Sequence, residues 1–170
     1  MDTIEFWDMF FRLLSALILG AFIGVERRSK GKVAGIRTMM MVSLGAAAFT
    51  LTGIAAMESL MAAEQAAQAA AQAAAQAGEQ AKAQVIPMLR MDTSRVIAGI
   101  VGGIGFIGAG VIIQARGRVH GVTTASCIWV AAAVGVACGL SLYAIAIVVS
   151  LLAVAALLVY DLGTPRTEHE

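Results

Sequence analysis

The chain has 170 residues, 59% of them hydrophobic and 14% charged, with a mean hydropathy of +0.84. Soluble domains run at roughly 45–50% apolar and 25% charged, so this balance excludes an ordinary water-soluble globule and makes lipid the solvent. A formal net charge of +1 selects no nucleic acid, and Cys127 and Cys138 sit in apolar runs without metal spacing, as small buried hydrophobes outside any disulfide framework.

Residues 4–25 (IEFWDMFFRLLSALILGAFIGV) form the first apolar span. Its leading segment is acidic and its basic cluster follows the apolar run, the reverse of a secretory signal, so it reads as an uncleaved anchor with its N-terminus outside. Trp7 belongs to the interfacial aromatic belt. Arg12 lies about two turns inside the span, where a charge costs roughly 2.5–3.5 kcal/mol unless it is paired or reaches the interface. Asp8, one turn earlier, offers a partner, so Arg12 reads either as half of a snorkelling pair or as a functional buried charge.

Residues 26–37 (ERRSKGKVAGIR) carry five basic residues and one acid, Glu26, which makes this short loop cytoplasmic by the positive-inside rule. Attraction to anionic lipid explains the lysines. It does not explain Glu26, held at the membrane edge beside Arg27 and close to Arg37. Residues 38–57 make the second span, with Thr38 at its start and Met39, Met40 and Met41 as apolar filler. Composition then shifts to Ala and Gln, with Gln68, Gln72, Gln76 and Gln80 four apart. Residues 58–94 are therefore expected to be an exterior helical arm inserted in a single integral-membrane domain (1–170), ended near Gly78 and closed by Pro87.

Asp92, Thr93 and Ser94 offer N-caps for the third span, residues 95–114 (RVIAGIVGGIGFIGAGVIIQ), which has six glycines and no charge after Arg95. That glycine density weakens helices and strands in water, but in a bilayer small residues let neighbouring helices approach. The span reads as a helix built to be packed against, through Gly99, Gly103, Gly105, Gly108 and Gly110. Gly103 to Gly108 also matches G-x-G-x-x-G, yet no strand precedes it and about 20 residues on lies another apolar run, so a dinucleotide site is rejected. A helix broken at membrane depth is the remaining alternative. Arg116, Arg118 and His120 form a second basic loop. Residues 122–138, opening on Thr123 and Thr124 and carrying Trp129, make the fourth span, and residues 142–160 the fifth and plainest. The expected fold is an all-α membrane protein of five transmembrane helices, N-terminus out and C-terminus in.

Three segments, GAFIGVERRSKGKVAGIRT, SRVIAGIVGGIGFIGAGVII and VHGVTTASCIWVAAAVG, resemble the signature stretches of the MgtC/SapB family of bacterial inner-membrane proteins, in its order and helix spacing. The resemblance implies a multi-pass inner-membrane protein associated with growth in low magnesium, survival inside macrophages and, in some members, inhibition of the F-type ATP synthase. No agreed transport or catalytic activity defines the family. Carried over by motif position, the functional candidates are Glu26, Arg27, Arg37, Thr38, Arg95, Gly105, Gly108, Gly110, Thr123, Thr124 and Trp129. This chain departs from the pattern at Met39, where a histidine often follows the arginine-threonine pair. The Ala/Gln arm is also longer than the connection expected at that point, and the chain is expected to resemble the short members, those without the soluble C-terminal domain of the virulence-type ones.

Two functions compete. The first is a membrane regulator that supports magnesium or ion homeostasis and stress adaptation by acting on another membrane complex. The second is a homo-oligomeric transporter or channel. No Ser/His/Asp set, metal cluster or phosphate loop argues for an enzyme, a catalytic site or a cofactor. The expected partners are the bilayer, a membrane protein and further copies of the chain, with no nucleic acid.

Overall fold

The computed structural model describes residues 3–76, 93–115 and 118–163. They form α1 (Thr3–Ser29), α2 (Ile36–Gln76), α3 (Thr93–Val111), a hairpin of β1 (Ile113–Ala115) and β2 (Arg118–His120), α4 (Val122–Gly139) and α5 (Tyr143–Gly163). Four stretches, Phe6–Ser29, Ile36–Ala73, Thr93–Val111 and Val122–Gly139, are long and apolar enough to cross a membrane, and Tyr143–Val159 is a shorter apolar helix. The described residues are helical apart from the small hairpin, and the chain is a multi-pass membrane protein.

The core lies between α1, α2 and α4, where Ile23, Met39, Ile128 and Val134 are fully buried. Glycine spacing explains the closeness. Gly20 and Gly24 of α1 form a G-x-x-x-G pair against α2: a Cβ on Gly20 would lie 2.7 Å from the Met39 carbonyl oxygen, and one on Gly24 would lie 2.5 Å from the Ile36 Cα. Gly135 and Gly139 of α4 form a second such pair on α2. There a Cβ would overlap the Ser43 carbonyl oxygen and sit 2.8 Å from the Thr50 Cβ, respectively. Lipid tails are as apolar as leucine, so helices in a bilayer gain by close van der Waals contact, which missing side chains permit. Thus α2 is held between two glycine-floored grooves. Against α4 and α1, α5 adds the buried Ala146 and Ser150.

Three expectations change. The second span and the arm are one helix of 41 residues, about 60 Å long, because nothing between Met57 and Gln76 breaks it and alanine favours helix throughout. Residues 61–70 are exposed on every side, as an arm outside the bundle requires, while Gly78, Gln80, Pro87 and Asp92 lie outside the described residues. The third span stops at Val111 instead of 114, because the β-branched Ile112 and Ile113 lead into the hairpin, which pairs Ile113 with His120 and Gln114 with Val119. Gly121, at φ 90°, then turns the chain beneath α3, where any Cβ would overlap the Val111 carbonyl oxygen. Arg116 and the residues after Gly163 lie outside the described residues.

The largest correction concerns α3. Gly99, Gly103, Gly105 and Gly110 have no atom within 4 Å of where a Cβ would be, and only Gly108 meets a neighbour, Ala125, at an ordinary 3.6 Å. The other helices do not close upon it: 17% of its apolar window is buried, against 61% for α4. Glycine marks a packing face only where a partner arrives, and among the described residues the partners arrive chiefly at α1 and α4, with Val96 of α3 reaching Gly53 of α2 as well.

Candidate functional site

Charge enters the α1–α2–α4 core at both ends. At the end of α1, Glu26 and Arg27 turn into the bundle while Arg28 stays exposed. Neighbours in a helix do not face each other, so this is not the pairing that helix geometry favours. Arg27 donates through Nε to Glu26 Oε2 at 2.8 Å, with 4% and 7% of the two side chains exposed. Its Nη1 donates onward to Cys127 Sγ at 3.6 Å, linking α1 to the first turns of α4. Thr124, one turn before Cys127 on the same face, is buried as well.

The six residues expected to form one cluster therefore divide. Glu26, Arg27 and Thr124 are inside, Thr38 is half-buried, and Arg37 and Thr123 are exposed. Glu26 takes Arg27 as its ion-pair partner and leaves Arg37 on the surface with Arg28 and Lys32. What forms is a nearly neutral, desolvated unit with a basic rim around it. Such a unit orients helices firmly, because removing one partner leaves an uncompensated buried charge.

At the far end, Arg12 behaves as the paired residue that Asp8 promised. Its Nη2 lies 2.5 Å from Asp8 Oδ2, and its Nη1 donates at 3.0 Å to the carbonyl of Gly139, the last residue of α4. A cation on the C-terminal carbonyls of a helix satisfies an orphan acceptor and matches the helix dipole. Arg12 thus clamps α1 to the end of α4. Arg95 is exposed at the start of α3. Trp129 is half exposed and lines a 160 Å³ crevice between α3 and α4, away from the ion pair.

Cys127 is the site residue that composition concealed. The i,i+3 spacing from Thr124 was its only signal. Gly20, Gly24, Gly135 and Gly139 were legible, as two G-x-x-x-G pairs inside apolar spans. Among the described residues no three His, Cys, Asp or Glu side chains gather as metal ligands do.

Comparison with known proteins shows what the chain as a whole is similar to. The family model described as MgtC family matches residues 13–162. Protein MgtC of Salmonella typhimurium is 34% identical over 128 residues, which cover 75% of this chain and 42% of that protein. Protein SrpB of Synechococcus elongatus is 33% identical over 147 residues, covering 81% of this chain and 66% of SrpB. The putative magnesium transporter YhiD of Escherichia coli is 30% identical over 159 residues, covering 94% of this chain and 63% of YhiD. The chain spans from under half to two thirds of the length of these relatives. No solved structure matches it.

Proposed function

The chain belongs to the MgtC family, and on that premise we propose that it is an inner-membrane protein that supports magnesium homeostasis by regulating another membrane complex. The proposed topology has five crossings, with the N-terminus outside and the α1–α2 loop, the hairpin and the C-terminus in the cytoplasm. That orientation puts Arg28, Lys32 and Arg37 on the inner face.

The observation that carries the reading is the closed core. Backbones pressed together at Gly20, Gly24, Gly135 and Gly139 leave no room between α1, α2 and α4 for a hydrated ion, and the one buried carboxylate there, Glu26, already holds Arg27. Magnesium is bound through carboxylates with much of its water retained, which needs space and free acids together. A sealed bundle with an exposed basic rim suits a protein that touches a partner better than one that passes a solute. The competing reading, transport, is favoured by the name of the YhiD relative.

Replacing Arg37 with Ala tests the rim. It is exposed, so the fold tolerates the change. Normal membrane levels with growth lost under magnesium limitation are expected. Unimpaired growth would count against a cytoplasmic docking role.

A further inference from the structure

The turn between α1 and α2 is short, cationic and unbalanced. It spans residues 30–35 and folds back at once: with Gly31 at φ 62°, the Gly31 amide donates to the Arg28 carbonyl at 3.0 Å and the Lys32 amide to the Arg27 carbonyl at 3.1 Å. A turn tied so closely to the ends of two helices long and apolar enough to cross a membrane stays at the level of the lipid headgroups, in whichever orientation the chain is inserted. From Arg27 to Met57 the sequence has no acid, and Glu26, the nearest one, is buried on Arg27. Arg28 and Lys32 are exposed with no acid in their own turn to balance them.

The same turn places its apolar residues the wrong way round for water. Val33 is 92% exposed, while the smaller Ala34 beside it is 3% exposed and belongs to the core. In water the larger side chain gains more by burial, so presenting it makes sense only where an apolar medium receives it. Arg28 stands over such a medium. It follows Val25 by three residues on α1, and Ile18, Phe22 and Val25 are all exposed on the way to it. The stem of an arginine lies along apolar surface of this kind while its guanidinium reaches the phosphates. A small free anion needs donors that converge, which two cations on separate flexible stems do not supply. A layer of lipid phosphates meets each cation where it stands, and offers acyl chain beneath for Val33.

We propose that Arg28, Lys32 and Val33 seat the headgroups of anionic phospholipid, the two cations paired with phosphate and Val33 inserted below them. Lipid selection is a property of the purified chain and involves neither Arg37 nor a partner complex, so it stands or falls separately from the regulatory reading.

The test uses the full chain with Val33→Trp as reporter, and with Trp7→Phe and Trp129→Phe to silence the other indoles, in phosphatidylcholine vesicles containing a rising fraction of phosphatidylglycerol. Each lipid in turn carries brominated chains, which quench what they touch. Phosphatidylglycerol is expected to be preferred at the turn by roughly fivefold per cation, the worth of one charge near an anionic leaflet. Arg28→Ala with Lys32→Ala is expected to bring the preference close to parity, and added sodium chloride to reduce it by screening. Sodium phosphate at the same ionic strength is expected to do no more than chloride; a larger loss would make free phosphate the ligand and overturn the proposal. Equal quenching by the two lipids with both cations present overturns it, and so does a reporter quenched by aqueous acrylamide but blind to bromine, which would leave the turn in water and open to a protein. Circular dichroism checks that the variants keep their helix content. Native mass spectrometry of the unaltered chain, lifted from mixed vesicles, reads the same selection without the reporter: retained phosphatidylglycerol over phosphatidylcholine is expected, and parity contradicts the proposal.

Discussion

Arg27 is the residue on which the α1–α4 junction turns. Its guanidinium is inside the bundle, shared between an adjacent carboxylate and the sulfur of Cys127. Burying both charges has a large desolvation cost that their attraction repays only when the geometry is kept, so damage should depend on which partner is lost. Arg27→Met leaves Glu26 alone and should destabilise by about 3–5 kcal/mol, read as a lower membrane level and a lower unfolding temperature in detergent. Glu26→Met with Arg27→Met removes both charges and should recover most of that loss. Equal damage in the single and double variants would mean that the pair is not the source of the stability. From sequence alone the acid beside a basic run was visible. Which arginine it would choose was not, because adjacent helix positions are the least expected pair and Arg37, at the start of the next helix, lay within reach across the short loop.

At the scale of helices, glycine means different things on different elements. On α1 and α4 it admits α2, at a spacing of four in GAFIG and GVACG that could have marked both faces but is outweighed in the sequence by the denser glycines of α3. On α3 the glycines are more numerous and face open space, so density alone pointed to the wrong helix. Periodicity identifies a face suited to contact, whereas the identity of the partner depends on the order in which helices pack, a non-local property. Helix existence was legible from runs of apolar residues, and so was the exposed character of the arm. The continuity of α2 was not, because the shift from membrane-type to Ala/Gln composition hides an unbroken run of good helix formers. Substituting alanine separates the two classes of glycine. Gly135→Ala drives a methyl into the Ser43 carbonyl and should cost roughly 1–3 kcal/mol of stability. Gly105→Ala enters empty space and should leave the monomer as stable as wild type or slightly more so. Equal thermal stabilities for the two variants would contradict the packing described.

For the whole molecule, the ends of the helices sort the chemistry. The Asp8–Arg12 clamp and the long arm lie towards one side, and the Glu26–Arg27 pair, the basic rim and the hairpin towards the other. Between them runs a core sealed by backbone contact, and apolar residues line a cavity on either flank of α3. On the proposed function, a molecule built in this way touches a partner and does not conduct. Ion flux through the purified chain tests that claim most directly. Reconstituted alone into liposomes and challenged with gradients of Mg²⁺, K⁺ and H⁺, it is expected to leak no faster than empty vesicles; solute-specific flux that rises with protein content and falls in Glu26→Gln would contradict the account.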